Sequence, residues 1–129
     1  MPHAILEYSA NILDDADFSH LFAQLHHLLA ENGKCRLDDI KSRAIGCEHY
    51  RVGDGDERNA FAHLTLCLLE GRDVDTLRRL GEACLELMQT FYGNSLAEQR
   101  CDLTVEIRPM RRDSYFKVSS HPGRSSSAL

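Results

Sequence analysis

Met1-Pro2-His3-Ala4-Ile5-Leu6-Glu7-Tyr8-Ser9-Ala10-Asn11-Ile12 opens the chain and decides its fold. The stretch alternates apolar and polar residues and predicts a β-strand over residues 2–9. Proline fits the first position of a strand, because its missing N–H takes nothing from the ladder there. The start Met is normally trimmed when the next residue is small, and Pro2 qualifies. Trimming would leave a secondary amine at the tip of an ordered strand. An α-amino group titrates at roughly 7.7–8. Burial or a nearby cation disfavours its charged form and lowers that value. A drop of about one unit leaves much of the amine neutral near pH 7, where a general base works best. Two readings are open from the strand alone: Pro2 starts a strand, or Pro2 is a base.

Downstream, Asp14, Asp15 and Asp17 favour the positive end of a helix over residues 14–31. Phe18, Leu21, Phe22, Leu25, Leu28 and Leu29 fall on one face of it, and Asn32-Gly33 caps it. A second strand is expected over residues 39–52. On it Lys41, Arg43, Ile45 and Cys47 share one face. Two cations on one strand face suit an anion site or a solvated surface equally well. A mostly apolar third strand covers 59–69, and Glu70-Gly71-Arg72 closes it. Asp73 and Asp75 start a second helix over 73–92, with Val74, Leu77, Leu80, Cys84, Leu87, Met88 and Phe91 as its apolar stripe. Gly93-Asn94 is expected to end it. A last strand runs over 101–108 and stops at Pro109. The tail, 110–129, is basic, and its final eight or so residues are expected to be disordered.

The length of 129 residues suits one domain, burying roughly two thirds of its unfolded surface. A net charge of −5 argues against nucleic acid or an anionic membrane as partner. No apolar run approaches the ~20 residues of a membrane span. The five cysteines are odd in number and contain no CxxC, which fits reduced thiols in the cytoplasm. His20, His26 and His27 have no i, i+4 pair, so no metal site is expected.

The order strand-helix-strand occurs twice, about sixty residues apart, with Pro2-His3 over Ala62-His63 and Asp15 over Asp75. Each unit should be right-handed with parallel strands. The expected class is therefore α+β: a tandem β-α-β repeat forming a four-stranded mixed sheet with two helices on one face. Residues 1–109 make one domain of two halves, about 1–58 and 59–109. Apolar residues on both faces of the third strand predict that the other sheet face is also covered, most simply by oligomerisation. Residues 110–118 are candidates to dock on a neighbouring subunit.

Met1-Pro2-His3, Glu7, Asn11-Ile12, Ala16-Asp17, Leu21-Phe22-Ala23, Ser42-Arg43, Ala60-Phe61 with His63, and Gly71-Arg72 carry a family resemblance over residues 2–108. A proline after the start Met, heading a β-α-β repeat, resembles the tautomerase superfamily. Length and the two fused halves resemble its 5-carboxymethyl-2-hydroxymuconate isomerase branch. The resemblance implies a homotrimeric isomerase, or tautomerase, of aromatic (homoprotocatechuate) catabolism, without cofactor or metal. It would convert 5-carboxymethyl-2-hydroxymuconate, a small polycarboxylate, to its unsaturated 2-oxo isomer. Pro2 would be the base once Met1 is gone; with Met1 retained, Pro2 N is an amide. Arg72 matches the arginine of the Leu-Glu-Gly-Arg turn shared with 4-oxalocrotonate tautomerase. The family arginine on strand two falls at Lys41, a departure, and Arg43 matches a second one. Lysine keeps the charge but loses the bidentate fork. Such cations would stabilise an enolate as it forms and lower the pKa of Pro2. Two alternatives stay open: other Pro2-dependent chemistry on an unsaturated acid (dehalogenation, hydration or decarboxylation), and a trimeric module without catalysis.

Overall fold

Alternation in the first strand sets up both layers of the molecule. The computed structural model describes residues 1–14 and 17–120. In chain order they form β1 (His3–Ser9), α1 (Phe18–Asn32), a 3-10 turn (Leu37–Asp39), β2 (Lys41–Cys47) and β3 (Asn59–Leu69). α2 (Val74–Phe91), α3 (Gly93–Glu98), β4 (Arg100–Met110) and a second 3-10 turn (Arg112–Ser114) follow. The sheet order is β2-β1-β3-β4. β1 runs parallel to β2 and antiparallel to β3, and β3 runs parallel to β4.

Even-numbered residues of β1 and β3, Ala4, Leu6, Leu64 and Leu66 among them, are buried under the helices. Leu21 and Leu25 of α1 meet Cys84 and Met88 of α2 above Leu6 and Leu64. Both helices therefore lie on one face of the sheet. Each fully buried Leu stabilises the fold by roughly 1.5–3 kcal/mol, more than a typical exposed ion pair at about 0–1 kcal/mol. The shared core is what holds the two halves together. α1 and α2 each start on a side-chain cap: Asp17 accepts from His20 N–H at 3.0 Å and Asp73 from Thr76 N–H at 2.8 Å. The helix start at residue 14 is thus displaced to Phe18; Asp15, expected in its first turn, lies outside the described residues, as does the tail end from residue 121.

The elements depart from expectation in four places. β2 ends at Cys47 rather than 52, because its partner β1 ends at Ser9 and the last bond between them runs from Ala10 N–H to Cys47 O; Gly53 (φ 54°) and Gly55 (φ 81°) then turn the chain. A side chain at Gly55 would place its Cβ 2.7 Å from an Arg51 nitrogen. Val74 is 72 % exposed, since it is the first residue of α2, three positions ahead of Leu77, where the stripe first packs on the core. Gly93-Asn94 does not stop the helical run but begins α3, which Asp14 fastens by accepting from Ser95 N–H and Asn94 Nδ2, both at 2.8 Å. Pro109 lies inside β4; on an edge strand its missing N–H is harmless. On the sheet face away from the helices, apolar Ile5, Phe61 and Cys67 lie among polar side chains. There Glu106 accepts from Arg108 Nε at 2.9 Å and lies 3.2 Å from His63 Nε2.

The internal repeat has a register of its own. Lys41 N–H donates to Pro2 O at 3.1 Å, and Arg100 N–H donates to Arg58 O at 3.0 Å. Pro2 thus answers to Arg58, and the cap Asp17 to Asp73, an offset of fifty-six. The offset near sixty matched His3 to His63 by residue type, but strand pairing overrides that match.

Candidate active site

Strand directions gather the site. Because β1 is parallel to β2, the start of β2 lies beside the amino terminus. Because β1 is antiparallel to β3, the end of β3 and the Glu70-Gly71-Arg72 turn come to the same edge. Met1 is buried at 2 % exposure. Its nitrogen is the amine of the described chain, one residue ahead of the Pro2 nitrogen that removal of Met1 would free. It lies 3.9 Å from Asp39 Oδ2. Burial, aided by the charges of Lys41 and Lys117 and opposed by Asp39 and Cys35, lowers that amine to about 6.

Asp39 is fully buried, and its Oδ1 accepts from Lys117 Nζ at 3.0 Å. Burial alone would push its carboxyl up. The bond from Lys117, then the charges of the amino terminus and Arg36, hold it below the usual carboxylate range. Lys41 Nζ donates to the main-chain oxygen of Asp39 at 2.9 Å. Arg72 donates through Nε to Gly33 O at 2.8 Å, through Nη1 to Leu69 O at 2.9 Å and through Nη2 to Cys35 Sγ at 3.4 Å. It thereby pins the β3–α2 turn against the loop after α1. Burial pushes the Cys35 thiol up, against the pull of Arg72 and the amino terminus.

Arg43 lies one strand step beyond Lys41. Its Nη1 meets His3 Nδ1 at 3.3 Å, which makes Nδ1 the acceptor, so Nε2 donates to Tyr115 Oη at 3.1 Å. Burial, then Arg43, Lys41 and the amino terminus, lower His3 and keep it neutral at pH 7. A cleft of about 330 Å³ opens at Met1, lined by Leu69, Arg112, Tyr115, Phe116 and Lys117. A second, of about 260 Å³, holds Gly33, Lys34, Gly71, Arg72 and Asp73, and Arg112 borders both.

The structure therefore brings Pro2, Lys41 and Arg72 to one edge, with Arg72 in the adjoining cleft and Arg43 out on the open face. Asp39, Lys117, Arg112, Tyr115 and Cys35 complete the edge and were not singled out from sequence. The tail is held by its own chain: Arg112 N–H donates to Glu70 Oε2 at 3.0 Å, and Tyr115 and Lys117 reach His3 and Asp39. Among the described residues no group of His, Cys, Asp and Glu is arranged to hold a metal. No helix among them is long and apolar enough to cross a membrane.

A neutral amine beside fixed cations can take a proton from a carbon acid and steady the anion that results. The family model described as 5-carboxymethyl-2-hydroxymuconate isomerase matches residues 2–122. The chain belongs to this family. It is an isomerase. The 5-carboxymethyl-2-hydroxymuconate Delta-isomerase of Escherichia coli is 32% identical over 120 residues, covering 93% of this chain and 95% of that one. The crystal structure of a 5-carboxymethyl-2-hydroxymuconate isomerase from Deinococcus radiodurans R1 superposes with a TM-score of 0.83 at 24% identity, over 91% of this chain and 88% of that one. A fused 4-OT symmetric trimer superposes at 0.72 with 15% identity, over 92% of each chain. At these identities the two solved structures establish the tautomerase-like fold, with its mixed sheet and two helices on one face.

Proposed function

We propose that this member of the 5-carboxymethyl-2-hydroxymuconate isomerase family converts 5-carboxymethyl-2-hydroxymuconate to its unsaturated 2-oxo isomer, with Pro2 as the base after removal of Met1. The observation that supports this best is the burial of this end of the chain, where Met1 and Pro2 are both buried and desolvation beside Lys41 and Lys117 lowers the amine that Met1 carries. Pro2 takes a proton from the dienol system, the C2–oxygen bond becomes a carbonyl, the double bond shifts and Pro2 returns the proton to a carbon. No electrons are gained or lost. Arg72, Lys41 and Arg43 serve the substrate carboxylates and the developing oxyanion. We place the working enzyme in the cytoplasm as a homotrimer, in keeping with the symmetric trimer among its structural relatives and with five free thiols.

One observation favours a second reading. Lys41 stands at the family-arginine position, and its ammonium is turned to the Asp39 carbonyl at 2.9 Å. Another unsaturated acid on the same base would suit a site so altered. The test is a continuous ultraviolet assay of the dienol, on protein whose intact mass lacks Met1. Rapid loss of the dienol band, abolished in Pro2→Ala, is the expected result. Buffer-level rates with this substrate, but turnover of another unsaturated acid abolished by the same substitution, would replace the substrate and keep the base.

A further inference from the structure

We propose that Arg112 is a substrate-binding residue: its guanidinium takes a carboxylate of the unsaturated acid where the two clefts of the edge meet. This assignment rests on the reading of the edge as the tautomerase site. Among the described residues, Arg112 alone lines both the cleft of about 330 Å³ at Met1 and the cleft of about 260 Å³ at Arg72. Lys34, Arg72, Arg112 and Lys117 line the two clefts against Glu70 and Asp73, so the charge along them is positive on balance. Much of that charge is already engaged. Arg72 donates to Gly33 O, Leu69 O and Cys35 Sγ, and Lys117 is bonded to Asp39. The Arg112 guanidinium has no hydrogen-bond or ion-pair partner among the described residues. Its neighbour Arg111 differs, since Asp113 accepts from Arg111 Nε at 3.0 Å and from Nη2 at 2.7 Å.

The main chain fixes where that guanidinium stands. Glu70 N–H donates to Met110 O at 2.9 Å, and Glu70 Oε2 accepts from Arg112 N–H at 3.0 Å. Arg112 is therefore moored to the turn that carries Arg72. Its guanidinium lies over Gly71, where a Cβ would stand 3.6 Å from Nη2. The proposed substrate is a polycarboxylate, and each carboxylate that leaves water needs a cationic or donor partner. A planar guanidinium meets a carboxylate through two parallel bonds. Lys41 has no such fork, and its ammonium is turned to Asp39 O at 2.9 Å. Arg112 supplies a fork to the same edge from the tail.

The test uses protein whose intact mass lacks Met1. Arg112→Ala should raise KM for the dienol on the order of 10-fold or more, with kcat within about twofold of wild type. Arg112→Lys keeps the charge without the fork and should fall between the two. Arg111→Ala should match wild type. The bond from the Arg112 main chain to Glu70 does not depend on the side chain, so the melting temperature should not move in any of the three. A second measurement needs no turnover. In 15N-arginine-labelled protein, the Nε–H signal that is missing from Arg112→Lys should shift and saturate as tricarballylate, an inert tricarboxylate, is added. Wild-type KM in Arg112→Ala, a loss in kcat instead of KM, or an equal loss in Arg111→Ala overturns the proposal. So does an Arg112 signal that tricarballylate leaves unmoved. If wild type does not turn over the dienol, the substrate reading fails and the titration alone decides Arg112. Turnover of wild type against Pro2→Ala judges the base separately.

Discussion

At the head of the first half, Lys41 N–H bonds to Pro2 O; at the head of the second, Arg100 N–H bonds to Arg58 O in the same way. Each head has a cation at the start of its second strand and a carboxylate nearby. In the first half the carboxylate is Asp39, fully buried; in the second it is Asp56, 31 % exposed. Asp56 accepts from Arg58 N–H at 2.9 Å and from Arg58 Nη2 at 3.1 Å, bonds that hold it at about 2. Water surrounds that pair, and its field is screened. The first head has similar charges without the water, and there an amine falls to about 6. The two ends teach that removal from solvent, rather than the choice of charged residues, turns a strand tip into a site. The tail makes the difference, since nothing comparable to residues 112–117 crosses the second head among the described residues.

The largest effect that sharpens this comparison is Pro2→Ala. Loss of a positioned base should cut turnover about 10²–10⁴-fold, with the circular dichroism spectrum unchanged. Arg72→Ala comes next. Loss of an oxyanion-stabilising group costs about 10²–10³ in kcat, and the melting temperature should drop as well, because Arg72 ties two loops together. Arg72→Lys keeps the charge and loses the fork, so it should recover part of kcat and little of the melting temperature. Wild-type rates in Arg72→Ala would leave it a purely structural residue.

A milder effect concerns pH. The base works unprotonated, and burial lowers the pKa of an amine at this end of the chain, so the acid limb of kcat/KM should lie below the ordinary α-amino range, with activity flat above the limb and lost below it. A limb near the ordinary α-amino value of about 8 would mean that the first head is as wet as the second. The smallest effect is at the second head. Asp56→Asn should leave kcat/KM and its acid limb where they are. A loss of turnover as large as that of Arg72→Ala would break the comparison.

Much of the fold was legible because it is written in local signals. Alternation marks β1, a mostly apolar run marks β3, and Asp17 and Asp73 mark the helix starts as caps. Where the reading missed, a tertiary partner overrode the local signal: Asp14 recruits Gly93-Asn94 into α3, and the edge position of β4 tolerates Pro109. The site divides along the same line. Pro2, Lys41 and Arg72 sit at strand tips or turns, where strand order alone brings them together. Asp39 and Lys117 meet across 78 positions of chain, at a contact no period or spacing announces. Asp39 read as the first residue of a strand and Lys117 as one cation of a loose tail.

The strap formed by Tyr115 and Lys117 has a consequence for clipping of the chain. Tyr115 meets His3 on the first strand, and Lys117 meets Asp39 in the turn before β2. A cut after Met110 would leave every strand and both long helices in place. It would strip Asp39 of its ammonium and admit solvent to the first head, so a protease could silence the edge without unfolding the protein.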